Sequence, residues 1–315
     1  MTAPLANAKP PTGLIDNARV SLDFSARGLQ TADQPWSLYA FGIDLHTVVS
    51  SERGDIGTLT IQPYVLRIEN EPQRPALFSQ DSDHALQWRI TNFNYTGFGQ
   101  GRFNIRVGHF EVPFGLEQVV QTNGTLNQMN SPAALGLKAD WGYSINGELP
   151  NFEYEFAFMR GGGNSWNTDA NGYFAGRIGL PRQRRWWIAA SLLDGEMETG
   201  ATPIDRFRWG VDAGIRLPYG THAMIEYTAG DDAGHDQQHT LVELGFTSRS
   251  EATVTYVQHR NSRRASAGPT AQNQTSSLGI RFEPSPRWSG SFEYQHQHEA
   301  ERDPGSFIAQ IRLRT

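Results

Sequence analysis

The sequence predicts an all-β fold, a 16-stranded antiparallel transmembrane β-barrel with a long third extracellular loop folded inward. Three observations predict it. Period-2 alternation of apolar and polar residues runs through almost the whole chain, and convincing helical periodicity is scarce. About sixteen such segments occur, most near the roughly 9–11 residues that a tilted strand needs to cross a bilayer. The connections alternate between short turns and long loops, the mark of an up-and-down barrel with turns at one rim and loops at the other.

The elements follow in order. Segment 17–27 puts Val20, Leu22, Phe24 and Ala26 on one face against Arg19, Ser21, Asp23 and Ser25 on the other. Segment 36–48 opens on Trp36. In 56–69 the pattern is interrupted by Pro63, and in 84–95 it slips phase at "TNFNY", so a bulge is expected at each. Segment 102–112 alternates cleanly up to Pro113. Segments 139–149 and 152–160 align Trp141, Tyr143 and Ile145, then Phe152, Tyr154, Phe156 and Phe158. Next come 171–180, 184–193 (opening on Trp186 and Trp187) and 205–217, where Phe207, Trp209, Val211, Ala213, Ile215 and Leu217 share a face. The remaining segments are 220–229, 238–248, 250–259, 274–283, 286–297 and 306–315. Trp36, Trp186, Trp187 and Trp288 at strand starts, and Tyr227, Tyr256 and Tyr294 toward other ends, fit interfacial aromatic girdles.

A soluble β-sandwich also alternates faces, but without the systematic loop asymmetry. Sixteen hairpin-linked strands with one apolar face make a sheet with a single greasy side. Closing that sheet with the apolar side outward removes its edges and requires lipid as solvent. The expected organisation is a flexible N-terminal segment, 1–16, and one barrel domain, 17–315. The first residues carry no signal-peptide pattern, so either the chain is cytoplasmic or the numbering starts near a mature N-terminus, and the lipid-facing barrel pattern leads to the expectation of an outer-membrane location.

Composition narrows the function. The chain of 315 residues has no Cys, which excludes disulfides, thiolate metal sites, Cys nucleophiles and covalent c-type haem. A net charge of −6 gives no nucleic-acid signal. Lys9 and Lys138 are the two lysines, so nearly all positive charge is Arg. Either genome composition or a need for fixed, forked cations explains that bias. Gly161-Gly162-Gly163 lacks the Lys-Ser/Thr of a phosphate loop. His296 and His298 share a face without a third ligand, and no His has an evident nucleophile partner. No metal, cofactor or enzymatic activity is expected.

The face opposite the apolar one should line a water-filled lumen. It carries Arg19, Arg27, Arg89, Arg102, Arg106, Arg177, Arg206, Arg208, Arg216, Arg281, Arg312 and Arg314, with Asp23, Asp44, Asp140, Glu148, Glu153, Glu155, Asp212, Glu226, Glu243 and Glu293. Wall-to-wall pairing is the ordinary expectation for any single Arg. A basic wall near the barrel seam facing the carboxylates of 140–155 would favour anions.

The stretch "RVGHFEVPFGLEQVVQTNG" holds the candidate site. Its strand pattern stops at Pro113, Phe114 and Gly115, the expected hinge of the long loop 113–138. That loop is nearly uncharged, contains a short helical pattern, and carries Glu117, Gln118, Gln121 and Asn123 as candidate constriction residues. Arg106 at its base, then Arg102, Arg89, Lys138 and Asp140, complete the candidate selectivity set.

The matching residues Arg106, Gly108, Phe110, Pro113, Phe114, Gly115 and Glu117 resemble the strand-to-loop junction of the phosphate-selective porin O and P family. The resemblance covers about a dozen residues and otherwise rests on architecture. It implies a trimeric, anion-preferring channel of the Gram-negative outer membrane, with the loop as constriction. The family's phosphate-specific members use lysines there, and this loop has none before Lys138. The expected function is passive diffusion of small anionic or neutral solutes, with outer-membrane lipids and a homotrimer as partners. The alternative is a barrel sheath around a periplasmic multihaem cytochrome, which would need a wide lumen.

Overall fold

The computed structural model describes residues 18–30, 35–51, 54–70, 82–120, 122, 124–129, 134–199, 202–265, 271–298 and 305–315. The expected N-terminal segment 1–16 lies outside the described residues, as do Gln121 and Asn123. Sixteen strands form among the described residues: β1 Arg19–Gln30, β2 Pro35–Ser51, β3 Gly54–Glu69, β4 His84–Phe98, β5 Phe103–Glu111, β6 Ala139–Glu148, β7 Glu153–Met159, β8 Gly172–Gly179, β9 Trp186–Thr199, β10 Thr202–Arg216, β11 Thr221–Asp232, β12 His235–Thr247, β13 Thr253–Arg264, β14 Ala271–Ser285, β15 Trp288–His298 and β16 Gly305–Arg314. Each pairs antiparallel with its neighbour in sequence, and β1 pairs with β16 to close a barrel. The seam runs in register from Asp23 opposite Arg314 to Gln30 opposite Phe307.

The alternating pattern becomes an inside-out molecule. Phe292 and Phe307 point outward and are each 65 % exposed, whereas the charged Asp23 and Glu243 point inward and are 1 % exposed. A closed sheet with an apolar exterior is stable with lipid around that band, and closure leaves no backbone edge unpaired there. Trp187 and Tyr256 correct the girdle expectation. Both are buried on the inner face, because each is one residue out of phase with the outward set of its strand.

The two expected irregularities are a single bulge. Ile61 pairs with Thr91 and Pro63 with Trp88, so β4 spends one more residue than β3. Pro63 has no amide to donate and sits where the ladder is already broken. The extra residue shifts the phase of β4, so Arg89 faces inward before the bulge and Asn94 after it.

Several strands run beyond their expected ends. β9 continues to Thr199 and β10 begins at Thr202, in what the sequence presents as a loop. Their alternation persists there, but the outward residues have become Asp194, Glu196 and Asp205. Apolarity stops marking a strand once it rises above the lipid, although the ladder continues.

Candidate functional site

The chain leaves the wall at the top of β5. Glu111 forms the last pair with Ala139, and the Val112 amide donates to the Lys138 carbonyl at 3.1 Å. Pro113 follows and cannot extend the ladder. The Phe114 amide then donates to the Val112 carbonyl at 2.7 Å, closing a tight turn. Gly115 adopts φ +59°, a left-handed conformation that costs other residues energy. It starts the short helix α1, Gly115–Val119. Phe114 is buried with Phe110, Val112, Leu135, Met159, Tyr173, Leu193 and Met197. The inner wall is therefore apolar where β7, β8 and β9 receive this segment, a departure from the uniformly polar interior the sequence suggests.

The described residues between 114 and 135 bond to inward-pointing groups of many strands. On β9 and β11, Ser191 Oγ accepts the Gly115 amide at 3.0 Å, and a Glu226 carboxylate oxygen accepts the Leu116 amide. On β12 and β13, Asn127 donates to Glu243 at 3.0 Å and accepts from Gln258 at 3.0 Å. On β16, Gln310 donates to the Gly124 carbonyl at 2.7 Å.

Arginines supply much of the remaining anchorage. Arg27 donates to the Thr125 carbonyl at 3.2 Å, Arg312 to Gly124 at 3.5 Å, Arg208 to Ala134 at 3.1 Å and Arg182 to Gln118 at 3.3 Å. Arg206 donates to the Leu135 carbonyl and, with Arg208, grips Asp232 at 2.7 and 2.8 Å. Backbone carbonyls enclosed in a barrel need donors. A guanidinium presents several donors in fixed directions, so it can serve a carboxylate and a carbonyl together. Asp232 and Gln258 were not in the candidate set. Their inward phase on β11 and β13 is the signal that could have found them.

The structure separates the candidate residues. Arg106 lies on the wall of β5, 3.1 Å from Glu155, with its guanidinium 5.3 Å from the Phe110 ring centroid. Gln118 donates to the same Glu155 at 2.7 Å. These three, with Asn104, Asn146, Glu153, Arg177 and Arg182, line a cleft of about 210 Å³ beneath α1. Arg102 does not join them. It occupies the turn between β4 and β5 with an exposed side chain, because β5 begins one residue later.

Glu117, Lys138 and Asp140 also differ from their expected role. Glu117 is 4 % exposed and is consumed within the segment by Lys138 at 2.8 Å, the Thr122 hydroxyl at 2.5 Å and the Met129 amide at 3.2 Å. Asp140 is fully buried and accepts the amides of Gly161 at 2.6 Å and Trp141 at 2.7 Å. Both carboxylates fasten backbone and are withdrawn from solvent.

Arg89 stands in a different cluster. Its guanidinium stacks 3.7 Å above the Tyr64 ring. Asp23 lies 3.4 Å from Arg89, 2.9 Å from Arg312 Nε and 3.6 Å from Arg314. The Tyr64 hydroxyl lies 2.8 Å from a carboxylate oxygen of Asp23 and 2.8 Å from one of Asp44, and its single proton is shared between them. Three guanidinium groups thus share one carboxylate on the wall of β1, β4 and β16. On β8, by contrast, Arg177 is matched by Asp212 at 2.8 Å and Glu153 at 3.1 Å.

No protein-family model matches the chain, and no curated protein matches it. Solved structures do. Pseudomonas putida OprB aligns with TM-score 0.69 at 8 % identity, over 95 % of this chain and 94 % of that one. OmpF of Salmonella typhi aligns at 0.68 with 10 % identity, over 95 % and 98 %. An anion-selective porin from Comamonas acidovorans aligns at 0.66 with 10 % identity, over 95 % and 99 %. The chain shares their barrel architecture along nearly its whole length.

Proposed function

We propose that the protein is a porin of the Gram-negative outer membrane, passing small hydrophilic solutes by diffusion with a weak preference for anions. The observation that carries this reading is the charge-lined interior of a closed, lipid-facing barrel, crossed by a segment anchored to its inner wall. Such a segment narrows a sixteen-stranded lumen without closing a catalytic site. The shared architecture with outer-membrane porins supports the same reading.

The anion preference rests on the Asp23 cluster, where Arg89, Arg312 and Arg314 outnumber the two carboxylates of Asp23 and Asp44. Phosphate specificity is not proposed, because Lys138 is committed to Glu117. A homotrimer fits this class, and one structural neighbour is a trimer form of the Vibrio cholerae outer-membrane protein OmpT. A cytochrome sheath would need an open lumen, and the bonds of residues 115–116 and 124–127 to the inner wall argue against that reading.

Reconstitution into planar bilayers tests the proposal. Stable conductance with a reversal potential of anionic sign across a salt gradient is expected. Cation selectivity would overturn the anion preference, and no conductance would overturn the porin reading.

A further inference from the structure

The cleft beneath α1 is built from both signs of charge. Three guanidinium groups, Arg106, Arg177 and Arg182, line it together with three carboxylates, Glu148, Glu153 and Glu155. Arg177 is buried and spent on Asp212 and Glu153. Arg182 has a side chain 46 % exposed, with its Nε 3.6 Å from Glu153. Glu148 stands directly opposite Glu153 across β6 and β7, so two carboxylates meet side by side. Among the described residues Glu148 has no cation partner, and its bond is to the Gln183 amide at 3.3 Å. Glu148 and Arg182 are both exposed, at the short-turn end of the cleft.

Deeper in, the fold leaves two polar atoms open. Asn104 is 7 % exposed. Its amide donates to the Gly101 carbonyl at 3.2 Å and to Asn146 at 3.1 Å, but its enclosed Oδ1 has no bonding partner. Arg106 gives one arm to Glu155 at 3.1 Å, while its enclosed Nε has none. An enclosed donor or acceptor without a partner is costly and calls for a physical reason. Here one acceptor and one donor stay open on two residues of a single cleft.

We infer that this cleft binds a small α-amino acid as its zwitterion. A lone anion would meet Glu148 and Glu155 there, and a lone cation would meet Arg106 and Arg182. Arg106 and Glu155 stand 3.1 Å apart, so opposite charges are offered within the span of one small zwitterion. The guanidinium groups of Arg106 and Arg182 suit its carboxylate. Its ammonium has three protons to give, and Glu148 and Asn104 Oδ1 are acceptors for them. A volume of about 210 Å³ leaves room for a short side chain. The occupant would also touch Gln118 and so reach the internal segment. The inference deepens the porin reading and rests on it in one respect, that solutes reach the cleft through the lumen.

Equilibrium dialysis of labelled L-alanine against the full barrel in detergent tests it. Saturable binding is expected, displaced by glycine but not by equal concentrations of propionate or ethylamine, which carry one charge each. E148Q and R182Q change exposed side chains and should each bind alanine about tenfold more weakly, the loss of one charge-assisted contact. R287Q, in another short turn, should bind as wild type. No saturable binding, equal displacement by propionate or ethylamine, or unchanged affinity in both cleft variants would overturn the inference. Conductance of the same samples in planar bilayers reads channel formation separately, so a conducting barrel that ignores alanine would sink the cleft and leave the porin reading standing.

Discussion

Glu117 Oε1 stands 2.8 Å from Lys138 Nζ, joining the first turn of α1 to the residue that precedes β6. The pair pins both ends of the internal segment to each other, and the same carboxylate holds Thr122 and the Met129 amide. Glu117→Gln removes the charge while keeping the shape. The enclosed partners lose their best acceptor, at a cost on the order of 1–3 kcal/mol. Because the barrel ladder is untouched, the cost falls on the segment. Single-channel records should show larger open-state fluctuations, and limited proteolysis should cut within 114–138 sooner than in wild type. Identical noise and cleavage would show that the pair does not hold the segment.

Arg89 supplies the most direct test of selectivity. Arg89→Glu places a carboxylate beside Asp23 and Asp44 and exchanges attraction of a passing anion for repulsion. For an ion about 8 Å away, one unit charge contributes roughly 0.5–2 kcal/mol between surface-like and bulk-water screening. The anion-to-cation permeability ratio should therefore fall several-fold, with the reversal potential moving toward the cation side. The effect should shrink as salt rises, since the Debye length falls from about 10 Å at 0.1 M to about 3 Å at 1 M. A reversal potential equal to wild type at low salt would remove Arg89 from the selectivity determinants.

The barrel was legible because its signal is periodic and local. Val20, Leu22 and Phe24 announce a lipid face, and each of the sixteen segments carries a similar record. The break at Pro113 was legible too, since a missing donor is a property of one residue. The roles of Glu117, Lys138 and Asp140 were not. Whether a charge faces solvent or fastens backbone depends on partners far away in sequence, such as Gly161 for Asp140. The same limit hid the anchoring role of Arg206 and Arg208, whose acceptors at 134 and 135 have no sequence mark. Arg102 fell out of the site because its backbone belongs to the turn, with φ −76° and ψ −24°, so the alternation that turns Asn104 and Arg106 inward no longer sets its direction.

Gly115 is the tightest point of the inward turn. Its φ of +59° disfavours any side chain, and a methyl there would lie 2.1 Å from Glu226 Oε2. Gly115→Ala therefore pays about 1–2 kcal/mol for the left-handed backbone and must also displace the carboxylate that receives the Leu116 amide. The segment should enter the barrel at a changed angle, giving altered conductance with a lower unfolding temperature. Gly28→Ala is the control, because nothing lies within 4 Å of a methyl at that position. If both variants conduct and melt alike, the turn does not depend on glycine.

Asn164 closes a gap that the departure of the chain at Val112 leaves in the wall. β4 pairs with β5 from Phe98 to Thr91 and no further, so the end of β4 from His84 to Ile90 has no β5 partner. The Asn164 carboxamide takes that place, accepting the Trp88 amide at 2.6 Å and donating to the Leu86 carbonyl at 2.8 Å. Its own carbonyl accepts Trp141 Nε1 at 3.2 Å, and Trp141 packs edge-on against Trp88 and Trp166. A side-chain amide thus stands in for a neighbouring strand on an edge that would otherwise be unpaired. Asn164→Ala removes both bonds. Losing such partners costs about 1–3 kcal/mol, which corresponds to roughly 5- to 150-fold faster exchange of an amide that opens locally. Hydrogen exchange read at Trp88 should accelerate by that amount while amides of β12 are unaffected. Asn164→Asp keeps the acceptor for Trp88 but loses the donor to Leu86, so Trp88 should stay more protected than in the Ala variant. Equal exchange in all three proteins would mean that the edge is satisfied by other means.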